Sequence, residues 1–386
     1  MRDGLRKDGP ELLNGIQIKE ALKSRWEAAC WRIPADFLSY EHYKRVVSDL
    51  DWTSSPGYPW LLQHTTNSAM FEVKEGVPSE RALNMVWNVV RERIQTREVD
   101  PIRLFVKPEP HKEKKLQNRA YRLISSVSVI DQIIDGLLFG EMNAAIINNY
   151  IQVPGKVGWS PYVGGWKLMP IFGNVSLDKS AWDWSVNSWI VQEVLGLRID
   201  LCENVSHEWL ELATWRYRAL YESPLFVTSG GLLLRQRQPG VIKSGCFNTI
   251  IDNSIAQDLL HVRVCVENGF PIGELASMGD DTTQPDFAER AAYEEKLAQF
   301  CHLKSSVKAT EFAGHRFKLG FVEPLYKGKH AFNIMHLDPK NGEEMAASYA
   351  LLYHRSVHRD YIRGVLMRMG YSLPTLRTLD VIYDGD

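Results

Sequence analysis

Gly279-Asp280-Asp281 sets two adjacent carboxylates straight after a glycine, between β-prone residues. That arrangement suits a tight turn presenting acid groups to a divalent cation. A third carboxylate, Asp178, ends the run Val175-Ser176-Leu177, which reads as a short buried strand. A carboxylate there wants a cation. If the two strands are neighbours in one antiparallel sheet, Asp178, Asp280 and Asp281 meet despite their separation in the chain. They then suit a two-metal centre, in which one Mg²⁺ activates an attacking hydroxyl and the other steadies a leaving pyrophosphate. Mg²⁺ keeps waters and takes few carboxylates plus phosphate oxygens, so no dedicated protein cage is expected. Taken alone, the Gly-Asp-Asp turn reads equally as a solvated loop, and the rest of the chain has to decide.

The elements that would position these groups follow from pattern. After Asp178, Lys179 to Asp183 turns into a helix whose Val186, Trp189, Ile190, Val194 and Leu197 keep a 3.6 period. Gln238 to Gly245 is a Gly-bounded loop, and the helix after it puts Thr249 and Asn253 on one face, with Phe247, Ile250, Ile251 and Ile255 as core contacts. That helix ends near Asn268-Gly269. Asp286 with Glu289 resembles a capping box for a helix running to about Cys301, which Leu303 to Lys308 leads out of. Phe317, Leu319 and Phe321 alternate as in a hairpin strand, and Ala346 to Met369 is helical with basic residues on one face. Residues 1 to 50 read as mixed helix, and Ser54 to Trp60 as a Gly/Pro-punctuated loop in which Tyr58 and Trp60 either stack on bases or anchor the loop.

Net charge is only -2, but it averages opposite segments. Arg103 to Arg122 carries seven Lys/Arg against two Glu and reads as an irregular hairpin. Arg103, Lys107 and Arg122 sit among apolar residues there, and an anionic ligand such as a triphosphate would supply their partner. Arg235, Arg237 and Lys243 form a second basic group, and residues 354 to 368 a third, which suits a phosphate backbone. The 45% hydrophobic and 24% charged content is that of a globular protein. No apolar run is long enough to span a bilayer, the charged start Met1-Arg2-Asp3-Gly4 has no apolar leader, and five scattered cysteines fit neither zinc nor a disulfide framework. These features predict a cytosolic protein with no intrinsic membrane segment.

Taken in order, these segments resemble the fingers and palm of viral RNA-dependent RNA polymerases. Ser55-Pro56-Gly57-Tyr58-Pro59 is similar to motif G, and Lys107-Pro108-Glu109 through Arg122-Leu123-Ile124 to motif F. Asp178-x4-Asp183 is similar to motif A, Ser244-Gly245-x3-Thr249-x3-Asn253 to motif B, and Gly279-Asp280-Asp281 to motif C. The helix ending in Lys304 to Lys308 and Phe312 to Phe317 stand for motifs D and E. Phe105 to His111 and Phe312 to Phe317 look most like the sobemovirus and polerovirus group of positive-strand RNA viruses, including sobemo-like viruses.

The resemblance implies an α+β right-hand polymerase, with fingers, palm and thumb and an antiparallel palm sheet flanked by helices. Its divisions would be residues 1–172 (N-terminal region and fingers), 173–193 (palm), 194–237 (fingers insertion), 238–322 (palm) and 323–386 (a short thumb). Asp178, Asp280 and Asp281 would hold Mg²⁺ or Mn²⁺. Lys107, Arg119 and Arg122 would hold the incoming triphosphate, and Asp183 with Asn253 would read the ribose 2′-hydroxyl, with Thr249 positioning that pair. Ser244 would line the nucleotide site and flex with Gly245 as template advances, and Ser55 and Gly57 would meet template RNA. Lys308 is the candidate general acid for pyrophosphate, with Lys304 the runner-up. Partners would be template and product RNA, ribonucleoside triphosphates and other viral replication proteins, in a membrane-associated complex of the host cytoplasm. The short flanks on either side of the motifs imply a piece of a longer polyprotein product. The competing readings are a non-catalytic RNA-binding scaffold and a reverse transcriptase; the polar Asp183 and Asn253 stand against the latter, where a bulky apolar gate would replace them.

Overall fold

The computed structural model describes residues 4–385; Met1, Arg2 and Asp3, part of the charged start, lie outside the described residues. A four-stranded antiparallel sheet carries the three carboxylates. Its strands are β3 (Asn174–Ser180), β6 (Ala276–Met278), β7 (Asp281–Pro285) and β8 (His302–Val307), in the order β6-β7-β3-β8. The period of two along β3 turns Val175 and Leu177 into the main hydrophobic core and leaves Asp178 half-exposed on the other face. Leu177 pairs with Thr282, so Asp178 and Asp281 lie one residue further along their neighbouring strands.

A second sheet, β2-β1-β4-β5, joins segments distant in sequence. β1 (Ile102–Val106) and β2 (Leu123–Ser126) form the expected hairpin, with a short helix, Glu113–Gln117, at its tip. β4 (Leu225–Thr228) adds parallel to β1, and β5 (Leu233–Arg235) pairs antiparallel with β4. A third, three-stranded meander holds β9 (Thr310–Phe312), β10 (His315–Lys318) and β11 (Phe321–Pro324). Two helices of 20 residues each, Val129–Asn148 and Thr249–Asn268, run through the core, and Gly269 ends the second in the left-handed conformation as the sequence predicts. Beyond β11 the helices Lys327–Met335, Gly342–Leu352, Arg359–Arg368 and Leu376–Asp384 enclose a separate small core around Ile334, Tyr349 and Leu366.

Several local expectations are corrected. The helix after Asp178 is interrupted: Trp182–Ser185 is one turn, and Ser188–Asp200 starts afresh. The chain opens at Val186 and Asn187 because Val241 N–H donates to the Val186 carbonyl and Asn187 bridges to Gly240. Leu303 to Lys308 does not lead out of a helix but forms most of β8, and the preceding helix is only Arg290–Leu297. Asp286 does not cap that helix; it pairs with Arg290 and Lys308 instead. Leu319 is exposed in the turn between β10 and β11, and Phe247 and Ile250 are exposed at the start of the long helix, while Ile251 and Ile255 are buried. The stretch 346–369 is two helices, because Glu323 draws Ser356 Oγ and Val357 N–H into hydrogen bonds at the break.

Candidate active site

The Gly279-Asp280 turn is a two-residue hairpin loop, closed by the Met278–Asp281 pair, with Gly279 at a φ of 64°. Glycine at the first loop position matches the right-handed twist of the strands. The long helix Thr249–Asn268 fixes this turn in place. Gly279 N–H donates to Ser254 Oγ at 3.0 Å, Ser277 Oγ donates to the Ser254 carbonyl at 3.0 Å, and Gln257 Nε2 reaches the Asp280 carbonyl at 3.4 Å. Ser254 and Gln257 were not singled out in the sequence; the signal available was the place of Gln257 one turn beyond Asn253 on the same helix.

The acids feel one another. Burial, followed by the charges of Asp280 and Asp178, pushes the Asp281 carboxyl up to about 6. Burial also raises the Tyr326 phenol, with the charges of Asp281, Asp178 and Asp280 adding to it, so this tyrosine, absent from the sequence expectations, faces the same cluster. On the other face of β3, Lys179 is buried with Nζ donating to Thr282 Oγ1 at 2.8 Å, and burial lowers its pKa despite the nearby acids. Among the described residues no three acidic, histidine or cysteine side chains form a ready metal cage. The donor set still fits a hard divalent cation: it is all carboxylate oxygen, close enough for mutual repulsion, and one of its members already carries a cation.

That cation is Lys304, whose Nζ bonds Asp178. The register of β3 and β8 slips at this point, Asp178 facing Ser305 and Lys179 facing Leu303, so Lys304 is the extra residue of a β-bulge. A bulge re-aims the side chain it inserts. Lys308 is not brought to the acids: it pairs with Asp286 at 3.3 Å, beyond the end of β7 remote from Asp281. The loosely spaced motif D resemblance puts Lys308 first; the strand and its bulge favour the runner-up.

Asp183 and Asn253 do meet, Asn253 Nδ2 donating to Asp183 Oδ1 at 2.8 Å. Burial raises the Asp183 pKa, Asp280 adds to the rise, and the Asn253 hydrogen bond and the Arg122 charge oppose it. Asp280 and Arg122 therefore both face Asp183. Among the described residues Thr249 makes no hydrogen bond to the pair through its hydroxyl, although it stands one turn before Asn253 on the same helix. Its hydroxyl lies 2.6 Å from the Lys243 carbonyl and 2.8 Å from that of Cys246, holding the preceding loop closed. Ser244 and Gly245 join that loop to β2: Ser125 N–H donates to Ser244 Oγ at 3.1 Å and Gly245 N–H to the Ser125 carbonyl at 3.1 Å. A Cβ on Gly245 would lie 2.5 Å from that carbonyl, so only glycine permits the approach. Gly57 packs against Val127 and Ser128 just beyond, and Ser55 Oγ accepts from Gly57 N–H at 3.3 Å. Trp60 anchors its loop through Nε1 to Asp100 at 2.9 Å.

Lys107 and Arg122 are satisfied by Glu109, at 3.4 and 3.0 Å, and Lys329 from the C-terminal helices joins them at 3.3 Å. Burial works to raise the Glu109 pKa, but Arg122, Lys329 and Lys107 hold it down to about 2. The anion these cations need is thus, in this state, internal. Arg119 is exposed at the hairpin tip with a left-handed φ of 51°.

The family model described as viral RNA-dependent RNA polymerase matches residues 38–282. Among curated relatives, the chain is 30% identical over 315 residues to the replicase polyprotein P2AB of Southern cowpea mosaic virus, covering 75% of this chain and 31% of that protein. It is 26% identical over 355 residues to the RNA-directed RNA polymerase of Mushroom bacilliform virus, covering 84% of each. The chain spans 21%, 31% and 25% of the lengths of the three plant-virus relatives Protein P1-P2 of Pea enation mosaic virus-1, P2AB and Protein P1-P2 of Turnip yellows virus. The Sicinivirus 3Dpol RNA dependent RNA polymerase has a similar fold, with a TM-score of 0.76 at 14% identity over 97% of this chain and 85% of that one.

Proposed function

Because the chain belongs to the viral RNA-dependent RNA polymerase family and has the right-hand polymerase fold, we propose that it replicates and transcribes a viral RNA genome as an RNA-directed RNA polymerase. It adds ribonucleoside monophosphates from triphosphates to an RNA 3′ end and releases pyrophosphate. The observation that carries this reading is the meeting of Asp178, Asp280 and Asp281 at one end of an antiparallel sheet, with Asp183–Asn253 and the cationic hairpin facing them.

Asp178, Asp280 and Asp281 would hold Mg²⁺ or Mn²⁺, which when bound lowers the barrier by neutralising the reacting phosphates and acidifying the attacking hydroxyl. The chain's own groups do the remaining work. Arg122 and Lys107, with Arg119 at the tip, give up Glu109 for the triphosphate, exchanging one anion for a more highly charged one. Asp183 accepts the ribose 2′-hydroxyl while Asn253 holds it in place. Ser244 lines the nucleotide site and flexes with Gly245 as template advances, while Ser55 and Gly57, packed just beyond β2, meet template RNA. Lys304 gives a proton to the departing pyrophosphate; Lys308 is left with a surface pairing.

Residues 1–172 and 194–237 act as fingers, 173–193 and 238–322 as palm, and 323–386 as thumb, a division supported by the sheet that joins β1 to β4 and by the separate C-terminal core. Template and product RNA and nucleotides are its partners, and other viral replication proteins would gather it into a membrane-associated complex in the host cytoplasm. Among the described residues no helix is long and apolar enough to cross a membrane, so that association would come through partners or segments of other kinds.

The test is incubation with template RNA, labelled ribonucleotides and Mg²⁺: templated product is expected, and RNA binding without product would favour a scaffold. Within that assay Lys304→Ala is expected to slow single-turnover incorporation roughly a hundred-fold, the scale of general-acid catalysis. Lys308→Ala should change it by less than about threefold, as for an exposed ion pair. The reverse ranking would return the proton donor to Lys308.

A further inference from the structure

In a polymerase that reads the sugar through Asp183 and Asn253, the orientation of one amide decides what the sugar meets. The two ends of an asparagine amide are alike in shape and opposite in hydrogen-bonding sense, so a half-turn exchanges donor for acceptor. Here the half-turn is blocked from both sides. Asn253 Nδ2 donates to Asp183 Oδ1 at 2.8 Å, and Asn253 Oδ1 accepts from Trp182 Nε1 at 2.7 Å. An indole N–H can only donate and a carboxylate can only accept, so one arrangement satisfies all three groups. Trp182 and Asn253 are buried, at 3% and 4% exposure, leaving no water to take over the indole's place.

Trp182 and Asp183 are consecutive residues of the single turn Trp182–Ser185, so one short element supplies both jaws of the clamp. The turn is itself held, by Ser185 Oγ donating to the Trp182 carbonyl at 2.8 Å and Ile242 N–H donating to the Asp183 carbonyl at 3.0 Å. Among the described residues Asp183 Oδ1 has Asn253 as partner and Oδ2 has none, which leaves Oδ2 to accept a hydroxyl proton.

Resting on the polymerase reading, we infer that Trp182 is a positioning residue for sugar selection: its indole N–H locks the Asn253 amide so that Asp183 offers a fixed acceptor to the 2′-hydroxyl. Without that N–H, the buried Asn253 Oδ1 loses its donor, and the amide no longer has one preferred orientation. Asp183 then loses its fixed neighbour, and a deoxyribose, which cannot donate at that point, is disfavoured less.

The experiment compares kcat/KM for a ribonucleotide and its 2′-deoxy counterpart on one RNA template, for the parent, Trp182→Phe, Asn253→Ala and the double variant, with thermal melts for each. Each single change is expected to lower ribo-over-deoxy discrimination roughly ten-fold, the scale of one buried hydrogen bond, and the double variant to lower it no further. A Trp182→Phe protein that slows both sugars equally and keeps the parent ratio overturns the inference, as does a double variant whose losses multiply. If Phe prevents folding, β-(3-benzothienyl)alanine at position 182 keeps the ring, removes only the N–H and carries the same expectations. A parent that makes no product from either sugar overturns the polymerase reading itself, whereas a discriminating parent matched by an equally discriminating Trp182 variant overturns only the role of Trp182.

Discussion

Asp280→Ala is expected to cut RNA-templated incorporation by on the order of a thousand-fold while leaving the fold and RNA binding intact. The activity loss follows from its place: the residue stands at the apex of the hairpin loop, its charge reaching Asp281, Asp183 and Tyr326. The fold survives because the turn does not use the side chain. Gly279 supplies the loop geometry, the Met278–Asp281 pair closes it, and Gln257 bonds only the Asp280 carbonyl. Removing one of three mutually repelling carboxylates also lowers the proton affinity of Asp281, which Asp280 helps to raise. Without added divalent cation, the variant should therefore melt no lower than the parent at neutral pH. Primer-extension gels and melting curves read the two halves of this expectation. Product from the variant at parent rates would remove Asp280 from the metal site; a large drop in melting temperature would mean that the acid stabilises the turn and that lost activity says little about chemistry.

The positions of the acids were legible because a Gly-Asp-Asp turn and a carboxylate ending an apolar strand are local signals, but only the ordered segments around them distinguished the turn from a solvated loop. The Asp183–Asn253 pair was legible only through the resemblance to motifs A and B, because local pattern alone puts Asn253 beside Thr249 and leaves Asp183 as an acid at a helix start. Lys304 was harder. The loose motif D resemblance puts Lys308 first, whereas the chain ends its helix at Leu297 and enters β8 with a bulge at Lys304. No one-dimensional pattern reports a bulge, because it is a mismatch between two strands far apart in sequence. The broken helix at Val186 has the same origin, since the pairing with Gly240 and Val241 comes from outside the segment. Glu109 stands within the motif F resemblance, which assigns it no role; that it neutralises Lys107 and Arg122, with Lys329 reaching in from the C-terminal helices, depends on how distant segments fold together. The buried ionic groups of the helical core were missed outright, although Asp131 and Asp135 stand four apart inside the apolar run Val129 to Leu138, where a carboxylate is out of place without a partner.

That partner is Arg216, and Arg216→Met is expected to destabilise the protein by about 3–5 kcal/mol, the range for breaking a buried ion pair by removing one member. Arg216 is fully buried; Nε donates to Asp135 Oδ1 at 2.7 Å, one terminal nitrogen to Asp135 Oδ2 at 3.1 Å and the other to Asp131 Oδ1 at 3.1 Å. Methionine fills much of the volume, so the cost comes from the two stranded carboxylates and not from a cavity. Burial already pushes Asp131 up to about 6, with Arg216 opposing it, and removing Arg216 moves both acids further up. The sign of the pH dependence follows. A carboxylate whose folded pKa lies above its unfolded value, ordinarily near 4, favours the native state when protonated, and that advantage is lost as pH rises through the folded value. Urea melts should therefore show a smaller deficit for Arg216→Met near pH 5 than near pH 8. Adding Asp131→Asn and Asp135→Asn should recover much of the loss at pH 8, because neutral amides need no counter-charge. A deficit that ignores pH, or a triple variant no more stable than the single one, would mean that Arg216 matters for packing and not for charge. The helix bearing these acids also leads from Ser128, against which Gly57 packs, to Asn143, which donates to Asn248 beside the loop before Thr249 at 2.9 Å. Loosening it by several kcal/mol is thus expected to disturb both template-side loops, so that Arg216→Met loses RNA-templated activity at temperatures below its own melting transition.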